Sequence, residues 1–329
     1  MAFLRVAASS NLTLKRDRPE AACPLAPHIM TIAPCLLCDV ESELQLSHVL
    51  PAFVYRWLKE SSGNGHIRSS AEPNKRVQDG LKFNWLCTSC EMRLSRSEGL
   101  FAEKLFYPYI EDSGKVVQYS NWLLYFCTSV SWRVLRYYKQ NSHLNDLPIE
   151  KLKQIEEADS TWKEFLLGRA KHPGNFQQHL LPVDQISSST GSMAPNINRY
   201  LMRAIHIDFC QGNKSIFTYA KLGRFIIIGF VHEPNPNHWK GTKVHVHEGT
   251  VGPRQYVLPI AFGDYLNEKA SSLHETLGCI SEKQQKKIDI AFRANIENYT
   301  SSDAFVAMNA DVEMFGSQAF SSRGKKSVQ

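Results

Sequence analysis

The spacing of hydrophobic residues changes along the chain and predicts both helices and strands. Residues 122–139 and 148–169 place aromatic and aliphatic side chains three and four positions apart, which is typical of helices with one buried face. Residues 215–219 and 224–231 are short apolar runs around a Leu-Gly turn, which predicts two strands. Residues 281–300 return to helical spacing. This mixture of elements predicts an α+β protein.

Polar stretches divide these elements into segments. Residues 186–195 contain serine, glycine and proline and predict a linker. Two further strands are expected after it, at residues 243–247 and 256–259. Met30 is a candidate translation start, because it stands just before the first predicted element. The predicted organisation begins with a disordered tail at residues 1–29, a small cysteine-containing module at 30–110 and a helical segment at 111–185. The linker at 186–195 then leads to an α+β domain at 196–316 and a second disordered tail at 317–329.

Composition narrows the class of protein only slightly. Of the 329 residues, 43% are hydrophobic and 21% are charged, which favours a packed core over global disorder. The net charge of +6 suits a nucleic-acid partner, although many proteins without such a partner have a similar charge. Because no run of about 18 apolar residues occurs, we predict no membrane partner. The eight cysteines are too sparse for a secreted disulfide framework, so we expect a reducing, cytoplasmic location.

Four of the cysteines form two pairs with the same C-x-x-C spacing, Cys35 with Cys38 and Cys87 with Cys90. Each short turn of this kind can present two thiolates to one ion, so the spacing predicts a structural Zn²⁺ site with four sulfur ligands. The alternative is two unrelated pairs in a hydrophobic core. Residues 39–86 separate the pairs, which is more than the roughly 15 to 20 residues of a simple zinc ribbon. Another unit must therefore be inserted between them.

The residues between and after the pairs follow a recognisable order. The alternating sequence LQLSHVL predicts a strand with His48 near its end, and Pro51 follows it. A polar, glycine-containing stretch covers residues 61–80. The second cysteine pair then opens a helix, which we expect to begin near Asn84 and to run to about Phe106.

This order resembles the HNH endonuclease family of the type that carries zinc knuckles. In that family a C-x-x-C pair, a strand with a catalytic histidine, a proline, a loop asparagine and a second C-x-x-C pair at a helix start follow one another. The resemblance covers about residues 31–106 and implies a ββα-metal, or treble-clef, zinc module. It also implies Mg²⁺- or Mn²⁺-dependent hydrolysis of phosphodiester bonds in nucleic acid, with DNA as the first candidate, and a role in bacterial defence.

The resemblance assigns roles to particular residues. His48 matches the general base, which must be neutral to take a proton from water. Asn84 matches the family's asparagine, and Asn74 is the other candidate. Glu91 stands where the family commonly has a histidine, and its oxygens suit Mg²⁺ or Mn²⁺. Ser47 stands where the family commonly has a metal-binding acid or histidine.

With Ser47 at that position, a catalytic cation would be held by His48 and Glu91. Glu98 could help, because it lies seven residues beyond Glu91 on the same face of the helix. The alternative is that His48 only forms hydrogen bonds within the module and that the two glutamates lie on a solvated helix face. The protein would then be a non-catalytic zinc module that binds nucleic acid or a protein partner. Eight basic residues near this region could grip phosphates or be ordinary surface charges: Arg56, Lys59, Arg68, Lys75, Arg76, Lys82, Arg93 and Arg96.

Overall fold

A computed structural model of the protein describes residues 31–62, 65–141, 144–189, 191–212 and 215–320. The predicted N-terminal tail and most of the predicted C-terminal tail lie outside the described residues. The first residues of the predicted C-terminal tail are ordered instead, because Gly316–Ala319 forms a 3-10 turn in which Ala319 is fully buried. Within the described residues, no helix is long and apolar enough to span a membrane.

The N-terminal part combines an antiparallel sheet with two helices. In chain order its elements are β1 (Ile32–Pro34), β2 (Glu41–His48), α1 (Ala52–Glu60), β3 (Ile67–Arg68), β4 (Arg76–Val77), β5 (Lys82–Cys87) and α2 (Thr88–Phe101). The sheet has the strand order β1-β2-β5, and β3 and β4 form a separate two-stranded ribbon. Beyond α2 the chain continues through a π-helical turn, Ala102–Phe106, into α3 (Tyr107–Glu111).

The remaining elements build a second sheet between helices. In chain order they are β6 (Val117–Ser120), α4 (Asn121–Asn141), α5 (Ile149–Leu166), β7 (Gln178–Pro182), α6 (Ile197–Arg203), β8 (Ile205–Gln211), β9 (Ile216–Leu222), β10 (Phe225–His232), β11 (Glu248–Val251), α7 (Ile260–Gly278), α8 (Glu282–Ala294), α9 (Ile296–Thr300) and α10 (Asp303–Phe315), with 3-10 turns at Leu144–Asp146 and Pro236–Trp239. The antiparallel sheet has the strand order β7-β10-β9-β8. The α+β class is therefore confirmed.

The four-stranded sheet is covered on both faces, which explains why every residue of β9 is buried and why β10 is a nearly continuous apolar run. One face packs against α4, and its hydrophobic cluster continues without a break into the cysteine-containing part. That cluster includes Leu44 of β2, Phe101 of α2, Trp132 of α4 and Ile227 of β10. The other face packs against α6 and α7. The predicted module thus shares one core with the segments after it, while the predicted linker is irregular and largely exposed.

Two predicted strands are wrong. Residues 243–247 run beside β7 as a loop with a single bridge between His179 and Lys243, and their alternation arises because Val244 is buried while its neighbours are exposed. Residues 256–259 lead into the helix α7, which begins after Pro259. The helix predicted from Asn84 starts only at Thr88, since residues 82–87 form β5. The helices at residues 122–139, 148–169 and 281–300 are confirmed.

Candidate metal centre and active site

The four paired cysteines converge on one point. Their sulfur atoms all lie within 4.8 Å of one another, although the pairs are far apart in the sequence. The Sγ atoms of Cys38 and Cys87 are 3.8 Å apart. A tetrahedral zinc ion with Zn–S bonds of roughly 2.3 Å requires sulfur–sulfur distances of about 3.8 Å. The four sulfurs can therefore hold a metal ion such as zinc, as predicted.

Local backbone structure brings the two pairs together. The first pair lies in a tight turn after β1, closed by a hydrogen bond from Asp39 N to the Cys35 carbonyl oxygen. The second pair lies where β5 ends and α2 begins, so that Cys87 closes the strand and Cys90 lies in the first helical turn. The Cys87 N–H donates to the Cys35 sulfur at 3.3 Å. This contact ties one turn directly to the other.

One thiol of the cluster is prepared for metal binding. Burial raises the pKa of Cys87, but hydrogen bonds from the Ser89 hydroxyl and the Cys90 N–H outweigh burial and lower this pKa to about 6. The Ser89 Oγ lies 3.1 Å from the Cys87 sulfur. Because the thiolate is the form that ligates metals, Cys87 is available as a ligand near neutral pH.

His48 lies at the other end of the ladder between β2 and β5. Its Nε2 is 3.0 Å from the Oδ1 of Asp79, and Lys82 forms an ion pair of 2.7 Å with the Oδ2 of the same carboxylate. Lys82 is also the residue directly opposite His48 in the strand register. The His48 side chain is 18% exposed and Asp79 is 35% exposed, so this group is open to solvent.

The Asp79 carboxylate fixes the protonation pattern of the imidazole. Burial raises the pKa of Asp79, but hydrogen bonds from Lys82, the Gly80 N–H and His48 outweigh it and lower this pKa to about 2. An ionised carboxylate only accepts hydrogen bonds, so the proton of a neutral His48 must lie on Nε2. The Nδ1 atom is then left with a free lone pair. A histidine in this state can take a proton from a water molecule.

Glu91 and Glu98, the predicted partners of His48 at a cation, have other neighbours. The Ser47 hydroxyl donates to Oε2 of Glu91 at 2.6 Å, and successive side chains of a strand point to opposite faces. Glu98 forms an ion pair of 2.7 Å with the buried Arg133 of α4. Arg133 also donates to the main-chain oxygen of His48 at 3.0 Å. Among the described residues, the four cysteines form the only group of three or more metal-binding side chains.

The two candidate asparagines lie in different places. Asn84 is exposed on β5, opposite Leu46, and donates to the Thr31 hydroxyl at 3.1 Å. It shares the strand face of Lys82 and His48, because directly opposed residues of an antiparallel pair point the same way. Asn74 instead accepts a hydrogen bond from Ser281 N at 2.7 Å, at the start of α8. Asn84 is thus the asparagine on the face of His48, and its catalytic role stays a prediction.

Sequence reasoning missed Asp79 and the group that holds it. The available signal was the Asp-Gly dipeptide just before β5, which is typical of a tight turn. Gly80 is required here, because a Cβ atom at this position would overlap the ring of Tyr55. That ring also stacks beside His48, with centroids 6.4 Å apart. Tyr55 therefore packs against both His48 and Gly80, the residue that follows Asp79 in the turn.

Comparisons with known proteins give no independent assignment of this site. No protein-family model, no curated protein and no solved structure matches the chain. What the site can do chemically follows from its own geometry: a closed cluster of four sulfurs and, on the same strands, an open histidine–carboxylate pair.

Proposed function

We propose that this chain is an HNH-like endonuclease that hydrolyses phosphodiester bonds of nucleic acid, with His48 as the general base. The observation that carries the proposal is the 3.0 Å contact between His48 Nε2 and Asp79. It lies on a strand held between two cysteine pairs that converge on one point. This is where the resemblance of the sequence to that family requires a catalytic histidine.

The cysteine cluster supports the structural part of the proposal. The first pair lies in a turn after a strand, and the second joins a strand to a helix start, as in a treble-clef zinc module. Four sulfur ligands complete a tetrahedron and leave no position for a substrate. We therefore assign zinc a structural role, in which it fixes β2 and β5 relative to α2.

Each residue around His48 has a role in the proposed reaction. Asp79 holds the proton on Nε2, so that Nδ1 can accept a proton from the attacking water. Lys82 balances the charge of the carboxylate. Arg133 donates to the main-chain oxygen of His48 and so fixes the end of the strand. Asn84, which lies on the same strand face, would contact the substrate.

The Ser47–Glu91 contact brings together the two positions that the resemblance assigns to the catalytic cation. Ser47 is fully buried and points away from His48, so the partly exposed Glu91 carboxylate would hold a hard ion that keeps most of its water ligands, as Mg²⁺ does. Such an ion would supply charge stabilisation for the phosphate and for the leaving oxygen. The donor set is small, so binding to the protein alone would be weak.

The second candidate function is a non-catalytic zinc module that binds nucleic acid or a protein. The hydrogen bond between Ser47 and Glu91 favours it, because each group already satisfies the other without a cation. A cleavage assay separates the two functions. Purified protein loaded with zinc is incubated with supercoiled plasmid and with labelled single-stranded DNA and RNA, with Mg²⁺ or Mn²⁺. The nuclease proposal expects cleavage of at least one substrate. Tight binding with no cleavage of any would overturn it in favour of the second function.

A further inference from the structure

A cleft begins at Asp79 and leads away from His48 across the molecule. Its first part has a volume of about 550 Å³ and includes Asp79 in its wall. Its second part has a volume of about 350 Å³ and lies between the β3–β4 ribbon and the C-terminal helices α7 to α10. The two parts share wall residues, among them Arg68 and Arg203, so they form one continuous path. Volumes of this size are typical of ligand sites.

The walls of the second part are basic. They include His66, Arg68, Arg76, Arg199 and Arg203 and contain no aspartate or glutamate. Asp311 forms an ion pair with Arg199, and Asp303 forms one with Arg203, so the charges of these two arginines are balanced. In the described part of the chain, neither Arg68 nor Arg76 has a carboxylate within ion-pair distance.

The two unbalanced arginines stand directly opposite each other in the β3–β4 ribbon. Like charges at such positions destabilise an antiparallel pair. Burial and then the Arg76 charge lower the pKa of Arg68, and burial followed by both arginine charges lowers the pKa of His66. The ribbon nevertheless keeps its place, because Asn74 bonds to the α7–α8 junction and Arg68 donates to Gln284 at 3.3 Å. A bound anion would relieve this repulsion.

The floor of the second part is apolar. Side chains from α7, α8, α9 and the α7–α8 junction form it, including Leu273, Leu277, Ile280, Ile288 and Tyr299. Duplex nucleic acid presents phosphates and groove edges and keeps its bases stacked inside. A concave surface with a basic rim and an apolar floor instead suits an unpaired strand, whose bases can lie on the floor while its phosphates meet the rim.

We propose that this cleft binds a single-stranded nucleic-acid segment and leads it to His48, with the arginines of the β3–β4 ribbon holding its phosphates. The proposal rests on the proposed function in taking the ligand to be the substrate of the nuclease. It adds that the strand is unpaired where the C-terminal helices contact it.

Arg76→Gln is the variant that tests the proposal. Arg76 is exposed, and its side chain makes no hydrogen bond or ion pair with another described residue, so replacing this side chain leaves the fold intact. Lys75→Gln is the matched control, since it removes one positive charge from the same ribbon at a side chain that is 70% exposed and outside the cleft. Fluorescence anisotropy measures binding of a labelled 12-nucleotide single strand, as oligo(dT) and as oligo(U), and of a 12-base-pair DNA hairpin. Divalent cations are omitted so that no strand is cut.

We expect the single strand to bind more tightly than the hairpin. Arg76→Gln should weaken single-strand binding by roughly 3- to 10-fold and reduce the slope of log affinity against log salt by about 0.7, the value for one lost phosphate contact. Arg76→Lys should keep the slope, and Lys75→Gln should change both quantities little. Equal effects of the two glutamine variants, or equally tight binding of the hairpin, would overturn the proposal.

The outcome separates this proposal from the proposed function. A parent protein that binds the single strand through Arg76 but never cleaves nucleic acid supports the cleft and refutes the nuclease. A parent protein that cleaves, with Arg76→Gln binding and cutting as the parent does, refutes the cleft and leaves the nuclease standing. A protein that neither binds nor cleaves refutes both.

Discussion

The cysteine cluster and the His48–Asp79 pair lie at opposite ends of one strand ladder, with Cys87 paired near one end and His48 at the other. Three of the four cysteines are buried, and their sulfurs supply every ligand of a tetrahedral ion. The histidine pair is partly exposed and leaves one imidazole nitrogen unused. A metal site whose ligand positions are all filled by the protein stabilises structure, whereas one with an open position can do chemistry. The comparison teaches that the same two strands carry a closed sulfur cluster and an open histidine–carboxylate pair, so the closed end can set the geometry of the open end.

Breaking the closed end should have the largest effect. Cys87→Ala removes a ligand from the tetrahedron, and metal binding of this kind couples roughly 10 kcal/mol or more to folding. We expect zinc content, measured on the purified protein, to fall from about one equivalent to near zero, together with loss of the cooperative thermal transition. Cys279→Ala is the control, because Cys279 is exposed and outside the cluster. A folded, soluble Cys87→Ala protein that keeps its zinc would contradict the structural site.

Breaking the open end should abolish chemistry and spare the fold. His48→Ala removes the proposed base, and such losses typically lower rates by roughly 10²- to 10⁴-fold. Zinc content and melting temperature should stay near those of the parent, because His48 is not a ligand of the cluster. His232→Ala, an exposed histidine at the end of β10, is the control for the cleavage rate. Cleavage by His48→Ala at the parental rate would mean that another group acts as the base.

Asp79→Asn sharpens the comparison within the open end. An amide at this position can donate to Nε2 and so move the imidazole proton to Nδ1, which would remove the acceptor that the reaction needs. We expect single-turnover cleavage to slow by roughly 10- to 100-fold. Glu72→Gln, an exposed carboxylate on the same stretch of chain, should not slow it.

The substitution Asp79→Asn should also change how the free energy of unfolding depends on pH. The pKa of Asp79 is lowered in the folded state to about 2, so its ionisation favours folding above its ordinary value near 3.8. This contribution is lost as the pH falls through the folded pKa. The parent should therefore lose stability relative to Asp79→Asn between about pH 4 and pH 2. Denaturant titrations at each pH measure it. A difference that does not change between pH 4 and pH 2 would contradict the lowered pKa of Asp79.

Glu91→Gln should have the smallest effect of the series. The amide keeps the shape and can still accept from the Ser47 hydroxyl, but it removes the negative charge that would attract a cation. We expect slower cleavage at low Mg²⁺ and partial recovery at high Mn²⁺, measured as rate against metal concentration. Glu103→Gln, exposed in the next helical turns, should leave this dependence unchanged. Identical metal dependence in both variants would remove Glu91 from the site.

The two ends differed in how far they could be predicted. The C-x-x-C spacing identified all four cysteines, because each pair is local and its chemistry tolerates few alternatives. His48 was placed correctly near the end of a strand by alternation alone. Asp79 was missed, because its role depends on a turn whose shape is set by Tyr55 from another element. Glu98 was predicted to face a cation, but its partner Arg133 lies on a helix that the motif does not include.

The fold shows the same limit. Uninterrupted or strongly periodic segments, such as β10 and α4, were predicted, since their burial pattern is continuous. The strands β7 and β8 and the helix α6 were not predicted. Their hydrophobic pattern is too short to identify them, and they form because they pair with or pack on the neighbouring strands of the sheet. The loop at residues 243–247 imitates a strand for a related reason: one side of it rests on β7 without forming a ladder.

Arg133 limits what can be cut from this protein or transplanted into another. It lies on α4, is 2% exposed, and holds both Glu98 and the main chain of His48. A fragment that stops after α3 would keep every residue of the motif. It would lack Arg133, the ion-pair partner of Glu98, and it would lack the part of the core that α4 supplies. Removing one partner of such a pair typically costs about 3 to 5 kcal/mol. Any piece that recombination or an engineer exchanges as a folded unit must therefore extend at least through α4, well past the last residue that the motif names.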